Sequence, residues 1–494
     1  MSLLFSTGLL LAGSPSEAFT LPSGGDLAAA VAAASPGDTI ILEAGGIYDI
    51  AGKIGIAKDL TIRTQTGVAR ATLRSGDGTG NYVIMRDQAG RWRWLPLEGA
   101  DISGNGGDPS HLNYVGPHVD PNGSIDLTNV TLAKGAGEDF NDWPAGADPS
   151  DYEVLRGAGG DGLETTDGVL NLHGLRLVCF DAPLIASGGE LVIDDCVVLG
   201  ARKGVDMNPG SDVTVRDTFM SGGAQNAWTW LEVKSGELDG VGKRTWVICR
   251  DATGTLTMQR CTAHDFFDGV VGNPSYLTMV LDQITTDGRM DDLEQVQADT
   301  RGPMTVSRAK IRGTSIGGNA TATGADGSLR IFEDSVITNF REMHSYGFPR
   351  WRILQARHNS PVDPAHVRRC TYIERGGVNG NDIYLNFVFG APWYTKPTRH
   401  QIWEDVALVM ATNAGKIGRD YDRAGAGELE ITGSAILNID GGTLTFANGG
   451  DFQTWRSRAD PGAELITDTG YTAEQVWADP RLISGRFGRT VGAV

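Results

Sequence analysis

Residues 170–177 read LNLHGLRL, residues 191–198 read LVIDDCVV and residues 213–220 read VTVRDTFM. Each is the same phrase: apolar, any, apolar, two variable positions, a small or apolar residue, any, apolar. Working outward, the phrase recurs at Ile125-Leu127-Val130-Leu132, Leu256-Met258-Cys261-Ala263, Met279-Leu281-Ile284-Thr286, Met304-Val306-Ala309-Ile311, Leu329-Ile331-Asp334-Val336 and Leu429-Ile431-Ser434-Ile436. Successive starts fall 45, 21, 22, 43, 23, 25, 25 and 100 residues apart. The unit is therefore about 21 to 25 residues, some gaps holding two units and the last about four.

Each copy alternates with period two and has no 3.6-residue period, so it reads as two short strands about a bend. One copy cannot bury its apolar side; stacked copies can, each coil covering the next. A unit of this length without a helix predicts an all-β fold, a right-handed parallel β-helix solenoid rather than leucine-rich repeats. A short cap helix is expected at the N-terminus. Asp26 is placed to N-cap the Ala-rich run from Leu27 to Ala34, and Pro36-Gly37 ends it before Asp38-Thr39-Ile40-Ile41-Leu42 begins a strand.

Those residues, with Gly46-Ile47-Tyr48, resemble the pectate-lyase-like β-helix superfamily over roughly residues 20–340 and 427–450. The resemblance implies the fold and leaves activity open, since the superfamily holds lyases, hydrolases, epimerases and viral tailspikes; bacteriophage tailspikes look most similar.

The 494 residues carry a formal charge of −19, and 68 are glycine. The charge repels phosphate backbones and anionic surfaces, so neither nucleic acid nor membrane insertion is expected. Only nine of the 42 basic residues are lysine; arginine's planar fork suits carboxylates, though a GC-rich genome gives the same bias. Five cysteines without a C-x-x-C pair exclude a disulfide scaffold or zinc finger; Cys179, Cys196 and Cys261 sit in apolar runs. No metal ligands or cofactor are expected, although Asp-rich turns leave calcium open. Leu3-Leu4-Phe5 and Leu9-Leu10-Leu11 have no basic residue before them, so residues 1–20 read as an apolar docking segment rather than a signal peptide.

The expected layout is docking segment 1–20, solenoid 21–450 with insertions at about 75–122, 133–168, 221–254 and 338–427, and a C-terminal cap or interface segment 451–494. A solenoid commits its interior to packing, so function should sit on side strands and insertions. None of the eleven tryptophans lies in a repeat window. Trp143, Trp228, Trp230, Trp246, Trp351, Trp393 and Tyr394 are candidates to stack on sugar rings, against the plainer reading that long loops need large side chains for cores of their own.

Among carboxylates, Asp194-Asp195, Asp161 with Glu164, and Asp291-Asp292-Glu294 are candidate pairs for glycoside hydrolysis, yet chance pairs are expected in so acidic a chain. For β-elimination from a uronate polymer, Arg341, His344, Tyr346 and Arg350 are the candidate catalytic set, with Arg202-Lys203 and Asp206 as a weaker one. The same arginines could pair with the protein's own acids.

Two functions follow as expectations. One is a virion structural and receptor-binding protein, a tailspike-like homotrimer of a phage-like particle that contacts other virion proteins through its N-terminus and binds, and in some cases cleaves, host surface polysaccharide. The other is a secreted polysaccharide lyase acting on an acidic glycan such as alginate or pectate.

Overall fold

From Leu170 onward, each quoted phrase folds as two short strands joined through a bend with one residue at positive φ. In the computed structural model, those bend residues are Gly174, Asp195, Asp217, Arg260, Gln283, Arg308, Asp334, Arg369, Asp405 and Gly433. The described residues are 17–50, 54–65, 68–75, 83–86, 92–95, 117–119, 124–128, 130–133, 153–154, 161–178, 182–199, 201, 203–221, 245–249, 253–264, 268–275, 277–287, 294–300, 303–312, 316–318, 330–338, 354–356, 365–374, 383–385, 401–410, 415–417, 429–433, 435–438, 445–446, 451–458, 461–466 and 470–479.

The strand before each bend joins a 14-stranded sheet, here sheet A, running from Ala18–Leu21 to Leu429–Thr432. The strand after it joins a second 14-stranded sheet, sheet B, from Ile47–Ile50 to Glu464–Ile466. A third sheet of ten strands, sheet C, runs from Ile54–Ile56 to Leu354–Ala356. One coil is thus Ala182–Ala186 in sheet C, Gly189–Asp194 in sheet A and Val197–Leu199 in sheet B. Each pairs in parallel with its counterpart in the next coil. The chain is a parallel β-solenoid.

The bend sets the phase of every coil. The residue two before the positive-φ position faces inward: Leu172, Ile193, Val215, Met258, Leu281, Val306, Phe332, Val367 and Trp403 all lie in one buried core. Ladder bonds continue through the bend, as in Asp195 N–H to Arg216 O (3.1 Å) and Asp217 N–H to Gln259 O (3.0 Å), so the corner leaves those donors satisfied. The residue after the bend is buried, and in several coils it is Cys, Thr or Ser. Thr218 Oγ1 donates to Arg216 O (2.7 Å), Ser335 Oγ to Glu333 O (2.7 Å) and Cys261 Sγ to Gln259 O (3.2 Å). Small groups with a hydrogen to donate thus serve the carbonyl that the bend turns inward.

Several expectations change here. The repeat has three strands, not two: Pro117–Val119, Asp161–Thr165 and Thr245–Cys249 lie inside stretches expected to be insertions and are strands of sheet C. The stretch 338–427 holds two further coils, Ala365–Arg368 with Thr371–Glu374 and Gln401–Glu404 with Ala407–Met410. At 329–336 the alternation read from sequence is one residue out of phase: the bend is at Asp334, so Phe332 stacks on Val306 while Ile331 pairs with Thr305. The insertions at 75–122 and 133–168 share a small antiparallel sheet of Glu153–Val154, Val83–Arg86 and Trp92–Leu95. Residues 18–20, expected to belong to a docking segment, pair with Thr39–Ile41 as the end strand of sheet A.

The N-terminal end is closed by the helix Leu27–Ala33, whose N-cap Asp26 accepts a bond from Ala29 N–H at 2.9 Å. Tyr48 is fully buried beside it, its hydroxyl donating to Leu21 O (2.7 Å) and accepting from Glu43 N–H (2.8 Å). Asp38 ties the helix exit to the first strand, its carboxylate accepting from Glu17 N–H (2.9 Å) and Ser35 N–H (2.6 Å). The Glu17 bond first, then that from Ser35, hold its pKa below the usual carboxylate range against the opposing effect of burial, and the charge of Lys58 adds to them. A depressed folded pKa means this stabilisation is present above the unfolded value of about 3.9 and is lost as pH falls through the folded one. Asp38→Asn should therefore lower the unfolding midpoint at neutral pH, and the gap to wild type should close as pH drops below about 4; a gap that persists at pH 2 refutes this.

At the C-terminal end Phe452, in the helix Phe452–Arg458, packs against the main core. The helix Ala473–Ala478 follows a capping box of Thr472 and Gln475. Lys310 Nζ donates to Ala478 O at 3.4 Å, which places the helix end beside sheet B. Val336, Ile373, Ala407, Val409 and Val476 are fully buried yet stand outside the main core cluster. The helix thus lies over the outer face of sheet B, and the C-terminal segment covers a flank as well as the rod's end.

Candidate functional site

With the interior filled by aliphatic columns, the outer faces are what remains for chemistry, and sheet C carries the most informative one. Along it Leu163, Leu184 and Val205 face the core. Their neighbours Glu164, Ile185 and Asp206 form an outward column in the pairing register. Glu164 and Asp206 are two rungs apart, so their Cα atoms are separated by roughly 9.6 Å at about 4.8 Å per rung.

Asp206 is only 8% exposed despite its outward position. Its Oδ2 receives Lys203 Nζ at 3.1 Å, with the two side chains 17% and 11% exposed. Farther along the same corner Asn208 Nδ2 donates to Ser187 Oγ at 3.4 Å. The face therefore presents a shielded lysine–carboxylate pair, a second carboxylate at half-exposed Glu164 and amide and hydroxyl donors. Such groups could bind hydroxyl-rich ligands and move a proton.

Gly204 explains how this strand fits. A Cβ there would meet Trp246 O at 2.5 Å and Met220 Sδ at 2.9 Å, so only glycine fits under the tryptophan of the next coil. Trp246 is fully buried and belongs to the main core. It is not a surface platform for a sugar ring: its indole fills the space that Gly204 leaves. Trp403, also in an expected insertion, is likewise a core residue. Trp143, Trp228, Trp230, Trp351, Trp393 and Tyr394 lie outside the described residues, as do Arg341, His344, Tyr346 and Arg350.

The other carboxylate candidates separate. Asp194 pairs with His173 Nδ1 at 3.2 Å and lies 3.7 Å from Arg216 Nε, as part of a charge ladder along the A–B corner. The ladder continues with Arg260 on Asp217 (2.6 Å to each oxygen), Arg308 on Asp282, and Arg369 on Asp334 (2.7 and 2.8 Å). Arg260, Arg308 and Arg369 thus pair with the protein's own acids from one coil to the next. Asp291 and Asp292 are outside the described residues.

Nucleophilic sulfur chemistry is disfavoured at the described cysteines. Burial pushes the thiols of Cys196, Cys249 and Cys370 up to about 12 and that of Cys261 to about 11, so they stay protonated at neutral pH. Among the described residues no group of three or more His, Cys, Asp or Glu is arranged to hold a metal ion. A groove of about 380 Å³ between the cap helix and the first strand of sheet C is lined by Ala28, Val31, Ala32, Ile54, Gly55, Ala57 and Lys58. Lys58 Nζ donates to the helix-end carbonyls of Ala32 and Ala34, so the groove's lysine is engaged in capping.

The third strand per coil, and the column it builds, is what sequence reasoning missed. The available signal was a glycine before an inward aliphatic, as in Gly162-Leu163 and Gly204-Val205.

No family model matches the sequence, and no curated protein is similar to it. Among solved structures, the GH136 lacto-N-biosidase from Eubacterium ramulus is similar over 92% of this chain and 67% of its own, at 10% sequence identity and a TM-score of 0.25; a likeness that distant carries no argument about activity.

Proposed function

We propose that the protein binds a polysaccharide along the outer face of sheet C, and that Glu164 and Asp206 act on it there. The observation that supports this most is their placement in one outward column two rungs apart, with Asp206 shielded and paired to Lys203. Inverting glycosidases hold two carboxyl groups about 6.5–9.5 Å apart, leaving room for a water between the general base and the sugar, and a two-rung spacing on a rigid sheet is of that scale. A rod of stacked coils also suits a long polymer, which can lie across several rungs.

The setting we propose for this activity is the receptor-binding spike of a phage-like particle, as a homotrimer on host surface polysaccharide. A secreted enzyme is the alternative setting. A phage-like particle lacking this chain should fail to adsorb to its host; unchanged adsorption refutes the virion setting and leaves the glycan reading intact.

The test of the glycan reading is a panel of neutral and acidic polysaccharides, scored for co-sedimentation and for release of new reducing ends. Wild type should bind at least one polymer. Glu164→Gln, which keeps the shape of a half-exposed side chain, should retain the fold and lose cleavage by about 10²-fold or more. No binding across the panel, or equal cleavage by the variant, would sink the reading.

A further inference from the structure

The cap helix Leu27–Ala33 has no polar face. Its sequence, LAAAVAA, is apolar all round, and a helix of that kind is normally covered on every side. Here only one side is covered. Leu27, Ala30 and Val31 are buried against the first coil, whereas Ala28, Ala29, Ala32 and Ala33 are exposed. Two of those alanines face the strand Ile54–Ile56 across the groove of about 380 Å³, which has Ala28, Val31 and Ala32 on the helix side and Ile54, Gly55 and Ala57 opposite. The charged residue that lines it, Lys58, turns its ammonium to the carbonyls of Ala32 and Ala34. What remains of the groove is aliphatic wall.

We propose that this groove seats residues 9–12 of the same chain, Leu9-Leu10-Leu11-Ala12, which cover the cap helix and close the N-terminal end of the rod. Glu17, the first described residue, comes in beside the groove. Its N–H bonds Asp38 Oδ1 at 2.9 Å while Asp38 Oδ2 takes Ser35 N–H at 2.6 Å, so the chain enters at the C-terminal end of the helix, where Lys58 Nζ also sits. Ala12 stands five residues before Glu17, and five extended residues reach roughly 17 Å. The seven-residue helix is only about 10 Å long, so the apolar run has the reach to lie along all of it. Chain order points the same way. The stretch before a sheet A strand runs along the sheet C side, as Ala182–Ala186 does before Gly189–Asp194 and Ile54–Ile56 before Leu60–Thr64. The stretch before Ala18–Leu21 is thereby directed over the helix, with Gly13-Ser14-Pro15-Ser16 supplying residues suited to the turn. Three leucines leaving water against alanines and isoleucine give the seat its driving force. The inference concerns the end of the rod and does not depend on the glycan reading.

Ala32→Cys in the full chain puts a thiol on the groove wall, and its rate of maleimide labelling reads the cover. Val68→Cys, at a residue 39% exposed, is the reference for an open site, and wild type, whose described thiols are all buried, gives the background. Ala32→Cys should label roughly tenfold or more slowly than Val68→Cys. Adding Leu10→Asp and Leu11→Asp should bring its rate to within about threefold of the reference and leave Val68→Cys unchanged. Ala28→Cys, on the same wall, repeats the measurement if Ala32→Cys does not fold. Labelling at the groove as fast as at Val68→Cys, or slow labelling that the two aspartates do not change, overturns the proposal. Protection that vanishes on dilution together with a sedimenting oligomer gives the groove to a second copy of the chain and overturns it as well.

Discussion

Replacing Gly189 by alanine is expected to remove about 3 kcal/mol or more of stability. Gly189 opens a strand of sheet A with φ +71°. A Cβ there would lie 2.1 Å from Gly168 O and 2.6 Å from Gly168 N, both backbone atoms of the preceding coil. Left-handed backbone alone costs an ordinary residue about 1–2 kcal/mol. The overlap adds to this because it is relieved only by parting two coils, which breaks the bond from Glu190 N–H to Gly168 O. Gly210 is the control: it has φ +77° and nothing within 4 Å of where a methyl would stand, so Gly210→Ala should lose the conformational share alone. Equal midpoints for the two variants in denaturant would show that coil-to-coil contact at Gly189 is not the dominant effect.

The same stacking explains what sequence could and could not reveal. The A-to-B half of each coil is legible because its phrase has a fixed length: two alternating positions, a one-residue bend, a small buried residue and another strand. Leu170 to Leu177 and Val213 to Met220 repeat it with the same spacing. Sheet C is not legible in that way. The corners between sheets B and C vary in length, and its inward positions are interrupted by glycine, proline and tryptophan, as at Gly162, Pro183, Gly204 and Trp246. Register, rather than any local motif, brings Glu164 and Asp206 into one column, and register follows from the number of residues in each coil.

Tryptophan misled for a related reason. Trp403 occupies the column of Val367, and Trp246 stands over Gly204, each accommodated by what the neighbouring coil supplies. Neither position looks like core when read alone. The phase at 329–336 was ambiguous because Leu329, Ile331 and Phe332 are all apolar; only the positive φ at Asp334 selects Phe332 for the interior. Arginine abundance, by contrast, has a structural use, since alternate-sign pairs run from coil to coil along the A–B corner.

Not every such pair matters equally, and exposure decides which. Arg260 and Asp217 are bidentate but 50% and 44% exposed, so water screens them and Arg260→Gln should leave the unfolding midpoint nearly unchanged. Lys203 and Asp206 are 17% and 11% exposed. Removing one partner there leaves a charge in a shielded site, and Lys203→Met should cost about 3–5 kcal/mol. The loss comes from taking the cation away from a shielded carboxylate, not from the net value of the pair, because the pair's attraction is largely offset by the desolvation of both ions. Lys203→Met combined with Asp206→Leu should therefore recover most of the stability while losing action on glycan. A double variant as unstable as the single one would mean that the site is held by packing around Lys203, and that Asp206 carries no buried charge for the proposed chemistry to use.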